Sequence, residues 1–80
     1  MNWKEANGKL FRNVKCQDFA EALELLNEIA AVAEKFNHHP DLKILNYRFL
    51  RIEVYTHDTN SITPKDHKLA KEIDIILEQK

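Results

Sequence analysis

The residues of this chain best suited to chemistry are His38-His39-Pro40 and a further histidine inside Thr56-His57-Asp58. Imidazole has an unperturbed pKa of about 6.5, so it can donate or accept a proton near neutral pH. Histidines at the ends of regular elements therefore suggest proton-transfer work, against the plainer reading of each as a polar capping or surface residue. A zinc site fits the same residues poorly, because the side chains of His38 and His39 diverge and no cysteine-rich ligand set accompanies them. His67 falls outside this group, on the polar side of the last helix, and reads as a surface residue.

The elements that must position these groups follow from the pattern. Asn7-Gly8 lies between Trp3-Lys4-Glu5 and the run from Leu10 to Val14, and both residues tolerate the positive φ of a two-residue primed turn. The chain thus opens with a β-hairpin. Asp18 followed by Glu21 has the form of a capping box. Behind it Phe19, Leu23, Leu26, Ala30 and Ala33 recur at helical spacing, flanked by Ala22, Ile29 and Phe36, which predicts a helix over 18–37. Pro40 disfavours helical geometry at His39, so both histidines fall in the exit turn.

Leu50, Ile52 and Val54 alternate with Arg51, Glu53 and Tyr55, which predicts a half-buried strand over 49–56 with His57 on the Tyr55 side. A shorter strand is expected over 43–46, reversing near Asn46-Tyr47. Thr63-Pro64-Lys65-Asp66 starts a second helix, with Thr63 as N-cap, Pro64 in the first helical position and the Asp66 carboxylate near free backbone N–H groups. Leu69, Ala70, Ile73, Ile76 and Leu77 supply its apolar stripe. The order β-β-α-β-β-α predicts an α+β fold: a four-stranded antiparallel sheet with two helices packed on one face.

A chain of 80 residues is expected to be one domain, 1–80, with a modest core for which assembly adds burial. Twelve basic and thirteen acidic residues leave a net charge of -1, which lacks the basic excess of a nucleic-acid binder. Cys16 is the only cysteine, so it reads as a small apolar filler at a strand end in a reducing compartment. Trp3, Lys4 and Glu5 stand where a signal peptide needs an unbroken apolar stretch, and no apolar run reaches membrane-spanning length. A soluble, cytoplasmic protein without a membrane partner is expected.

Glu34, His38-His39-Pro40, Tyr47, His57 and Asp66, at intervals of three, six, nine and eight intervening residues, form a spaced pattern that resembles the pterin-4a-carbinolamine dehydratases. The similarity extends to Trp3, Phe11, Asp18-Phe19 and Thr56-His57-Asp58, and so covers nearly the whole chain. The resemblance implies a fold of the same element order and dehydration of 4a-hydroxytetrahydropterin to quinonoid dihydropterin, in recycling of the pterin, with no metal or organic cofactor. It makes His38 and His57 the acid and base, and His39 a pterin-holding residue. Pro40, Thr56, Asp58 and Thr59 would line the pocket.

Two carboxylates support these roles. Glu34 stands one helical turn before His38, a spacing that suggests it orients that ring. Asp66 reads first as the helix-terminus carboxylate, and Tyr47 as a packed aromatic. The chain departs from the resemblance at Leu42, where many members carry tryptophan, which leaves Trp3 and Tyr47 as stacking surfaces for a flat pterin. It departs again at Ser61, where glycine is usual, so Asn60 or Ser61 must take the unusual backbone angle of that turn.

Two expectations concern partners. An uncovered sheet edge and apolar residues such as Ala31, Val32, Ile75 and Ile76 predict a homo-oligomer, a dimer or tetramer with two-fold contacts. Animal relatives also serve as dimerisation cofactors of a homeodomain transcription factor, which gives an interaction module as the alternative function. The charged helix faces here, with Glu24, Glu28, Lys35, Lys68, Lys71 and Glu72, offer that role little support.

Overall fold

Asn7 and Gly8 adopt φ values of 53° and 72°, the pair of left-handed residues that a primed hairpin turn needs. They join β1 (Lys4–Ala6) to β2 (Lys9–Lys15) in the computed structural model, which describes residues 3–79. Helix α1 (Phe19–Phe36) follows, then β3 (Asp41–Leu45), β4 (Phe49–Val54) and α2 (Pro64–Glu78). The expected element order is therefore present, and the strands form one antiparallel sheet in the order β1-β2-β4-β3.

Register explains which face is covered. Leu10 pairs with Val54, Arg12 with Ile52 and Val14 with Leu50, and Leu10, Leu50, Ile52 and Val54 are all buried. Ala22, Leu25 and Ile29 of α1 and Leu69, Ala70 and Ile73 of α2 meet them in one core cluster, so both helices pack on the same side. Each fully buried Leu or Ile there contributes about 1.5–3 kcal/mol, more than an exposed ion pair. The opposite side carries Glu53, gripped by Lys9, Lys43 and Arg51 and nearly buried by them. The Arg51 hydrogen bond, opposed by burial and aided by Lys43 and Lys9, holds its carboxyl below the usual range.

Local chemistry sets the boundaries. Asp18, in extended backbone, accepts from the Glu21 N–H at 2.9 Å, while the Glu21 carboxylate accepts from the Gln17 N–H at 2.7 Å. The buried stripe of α1 is Ala22, Leu25, Ile29 and Ala33. Phe19 and Leu23, expected at its centre, lie on its flank, 49% and 40% exposed. Cys16 is buried directly after β2, and burial, then Glu21, pushes its thiol pKa up.

Strand β3 starts at Asp41, two residues earlier than expected, because Asp41 and Leu42 pair with Glu53 and Ile52 as soon as Pro40 has ended the turn. Asn46 leaves the strand for a positive-φ turn with Tyr47, at 51° and 57°, so no glycine is needed there. Tyr47 is accordingly 61% exposed and not a packed aromatic. Strand β4 ends at Val54, short of the expected Thr56, which instead bridges to Ser61 across the following loop.

Candidate active site

The long helix ends at Asn37, whose φ of 51° turns the chain out of helical geometry. The His38 N–H still reaches the Ala33 carbonyl at 3.2 Å, but the His38 side chain swings inward, where it is 13% exposed. Its Nε2 meets Asp66 Oδ1 at 2.5 Å. Asp66 has no solvent exposure, yet its other oxygen accepts from the Thr63 N–H at 2.8 Å and the Thr56 hydroxyl at 2.9 Å. The Thr56 and Thr63 hydroxyls are in turn 2.7 Å apart.

A buried carboxylate is costly unless each oxygen is paired, and here each is. Burial pushes the Asp66 pKa upward, but hydrogen bonds from His38, the Thr63 backbone and Thr56 outweigh it and hold the carboxyl below its usual range. The carboxylate accepts, so Nε2 of His38 carries the proton in this pair and leaves Nδ1 for other work.

The other two histidines are arranged differently. His39 points outward and pairs with Glu34, both mostly exposed. Helical spacing would pair Glu34 with His38 only if residue 38 stayed helical; the left-handed Asn37 instead turns His38 inward and brings His39 round to Glu34. His57 Nε2 donates to the His39 carbonyl at 2.8 Å, which again fixes the proton on Nε2 because a carbonyl only accepts. Its ring lies 4.3 Å from that of Tyr55, although β4 ends at Val54 and strand alternation does not extend to either residue.

The loop that carries His57 is braced from both ends. Thr56 and Ser61 pair through their backbones, Thr59 N–H reaches the Thr56 carbonyl at 3.3 Å, and Asn60 takes the positive φ, 50°. Gly8 of the hairpin packs so closely on this loop that a Cβ would stand 2.8 Å from the Asn60 carbonyl oxygen. Asp58 is exposed and, among the described residues, has no hydrogen-bond or ion-pair partner.

The hydrogen bonds thus form two clusters, His38 with Asp66 and Thr56, and His39 with Glu34 and His57, joined where His38 meets His39 and Thr56 meets His57 in the chain, with Pro40 in the turn and Asp58 and Thr59 on the adjoining loop. The proposed stacking surfaces are part of neither. Trp3 is buried and donates its indole N–H to Asp74 at 2.8 Å. Tyr47 sits in the turn after β3, whereas His38 and His39 precede that strand. Sequence reasoning singled out Thr63 only as a cap, although its hydroxyl and N–H also hold Asp66.

A cavity of about 380 Å³ opens beside His38, lined also by Phe36, Asn37, Lys65 and Lys68. Among the described residues, no group of three His, Cys, Asp or Glu side chains gathers as a metal cage. Among the described residues, no helix is long and apolar enough to cross a membrane.

These features define a class: a small α+β protein with one open antiparallel sheet, two helices on one face and three of its four histidines gathered where the long helix ends. A family model described as pterin 4 alpha carbinolamine dehydratase matches residues 1–76, and the chain belongs to that family. A relative from Prochlorococcus marinus, provisionally named a pterin-4-alpha-carbinolamine dehydratase, is 42% identical over 74 residues, 92% of this chain and 76% of its own. One of the same provisional name from Metallosphaera sedula is 37% identical over 91% of this chain and 75% of its own.

Solved structures agree on the fold. The transcriptional coactivator/pterin dehydratase from Brucella melitensis superposes with a TM-score of 0.85 at 28% identity, covering 94% of this chain and 81% of that one. A pterin dehydratase-like protein identified as a RuBisCO assembly factor in the alpha-carboxysome matches with a TM-score of 0.71 over 92% and 84% of the two chains, and at 16% identity it speaks for the fold alone.

Proposed function

We propose that this chain dehydrates a 4a-hydroxytetrahydropterin to the quinonoid dihydropterin, as part of pterin recycling. The supporting observation is that His38, anchored to a fully buried carboxylate, is the chain neighbour of His39, whose carbonyl accepts from His57, so that the three histidines are gathered at the end of α1. The chemistry needs two proton carriers. One protonates the departing hydroxyl as the C4a–O bond breaks and water leaves; the N5 lone pair closes the C4a–N5 double bond, and the second carrier takes the N5 proton. Each such transfer contributes about 10² to 10⁴ in rate.

His38 and His57 fill these two roles, and Asp66 is the positioning residue for His38. His39, steadied by Glu34, holds the pterin, and Pro40, Thr56, Asp58 and Thr59 line the pocket. No metal or organic cofactor enters the reaction. Stopped-flow dehydration of chemically generated 4a-hydroxytetrahydropterin tests the assignment: turnover above the buffer rate is the expected result, and its absence defeats it.

Assembly belongs to the same proposal. Phe19, Leu23 and Ile75 on the helices, and Leu45, Tyr47 and Phe49 about the β3–β4 turn, are large apolar residues left exposed. Self-association into a dimer or tetramer buries such surface. The double description of the Brucella melitensis protein favours a second reading, a protein-interaction module. Binding of pterin without turnover, with a stable oligomer, is the outcome that selects it.

A further inference from the structure

Lys65 and Lys68 stand three residues apart on α2, so their side chains share one helix face, and both line the cavity beside His38. Neither has an ion-pair or hydrogen-bond partner among the described residues. Among the described residues no carboxylate lines the cavity: Asp66, between the two lysines in sequence, is fully buried, and its oxygens are taken by His38, Thr56 and Thr63. The Asn37 side-chain amide, likewise unpartnered, adds a neutral donor, and Phe36 an apolar wall. This is a local positive site on a chain whose net charge is -1.

We propose that this cavity recognises an anionic group on the side chain of the pterin, a phosphate monoester by chemical class; the inference rests on the dehydratase reading for its ligand. His38 connects the two sites. In a 4a-hydroxytetrahydropterin the side chain sits on C6, the carbon bonded to N5, whose proton must move. A substituent on C6 therefore leaves the ring next to the reacting atoms, and a ring engaged by His38 has this cavity beside it. Phosphate suits the cavity better than a carboxylate, because its charge of nearly two and its several acceptor oxygens engage both ammonium groups at once.

The test compares two pterins that differ only in a phosphate on the C6 side chain. Dissociation constants are measured by titration calorimetry with the unreactive dihydropterins, and turnover by stopped flow with their 4a-hydroxy forms. Two partly screened lysines give the phosphorylated compound roughly a tenfold advantage in Kd, one that shrinks with added salt. In the double variant Lys65→Ala/Lys68→Ala the ratio of the two constants falls close to one, and in Lys65→Arg/Lys68→Arg it is kept.

Equal affinity for the two pterins, or a preference that survives the alanine variant, overturns the proposal. Inorganic phosphate that binds as tightly as the phosphorylated pterin also overturns it, since the cavity is then a free-anion site. Turnover of both pterins with no preference leaves the dehydratase reading intact and removes this one. Lysine-dependent preference without turnover of either supports the cavity and removes the dehydratase reading.

Discussion

His38 and His39 are neighbours and each meets a carboxylate, yet the two pairs are held in opposite ways. Asp66 is sealed from solvent and bonded by four groups of three other residues, so His38 meets a carboxylate that is itself held in place. Glu34 is 74% exposed, and among the described residues its one hydrogen-bond or ion-pair partner is the His39 ring, itself 54% exposed. Attraction between exposed charges is screened and offset by side-chain entropy, whereas a buried pair left half-empty keeps an uncompensated charge. In the proposed reaction this contrast would separate a fixed proton carrier from an adjustable grip on a ligand.

The largest effect expected from breaking this contrast is at the buried pair. Asp66→Ala removes the partner of His38, the acceptor of Thr56 and half of the α2 capping box together, and costs about 3–5 kcal/mol in urea unfolding. A loss below about 1 kcal/mol shows that Asp66 is not the anchor described. On activity, His38→Ala and His57→Ala each lower the dehydration rate by roughly 10² or more with an unchanged circular dichroism spectrum, as loss of a general acid or base requires. Full activity in both variants defeats the proposed chemistry.

A smaller, pH-dependent effect follows from the lowered Asp66 pKa. Its contribution to stability is fully present above the unfolded carboxylate pKa of about 3.9 and is lost as pH falls through the lower folded value. Glu53, also lowered, acts in the same direction, so the comparison of wild type with Asp66→Asn isolates one group. Unfolding curves from pH 6 to pH 2 should show a shallower acid loss in the variant; identical slopes contradict the assignment. At the exposed pair the effects are least. Glu34→Ala changes stability by about 0–1 kcal/mol. His39→Ala raises KM more than it lowers kcat, and a pure kcat effect moves His39 into the proton chemistry.

The same contrast marks what the sequence discloses. Periodicity located α1 to within a residue at each end, the Thr63-Pro64 signal marked the start of α2, and alternation in Leu50, Ile52 and Val54 identified the covered sheet face, because burial imposes regular spacing. Thr63 as the cap of α2 and the Asp66 carboxylate near its free N–H groups were legible for the same local reason. The partner of His38 was not: it lies 28 residues away, and only the left-handed turn at Asn37 decides which carboxylate each histidine meets. The start of β3 was hidden by Pro40, and the exposure of Tyr47 by a turn without glycine. Lys65 and Lys68 read as ordinary solvated charges until the fold placed them beside His38.

Gly8 carries a consequence for mutational tolerance. It turns a solvent-facing hairpin, the kind of position where substitution is ordinarily harmless, yet any side chain there faces both a positive φ and the Asn60 carbonyl. In a scan of all single substitutions, Gly8 would stand out as an intolerant island in a permissive stretch, with damage read at the His57 loop some fifty residues downstream. A map of tolerated residues would then trace, across the surface, the contact by which the hairpin holds the loop in place.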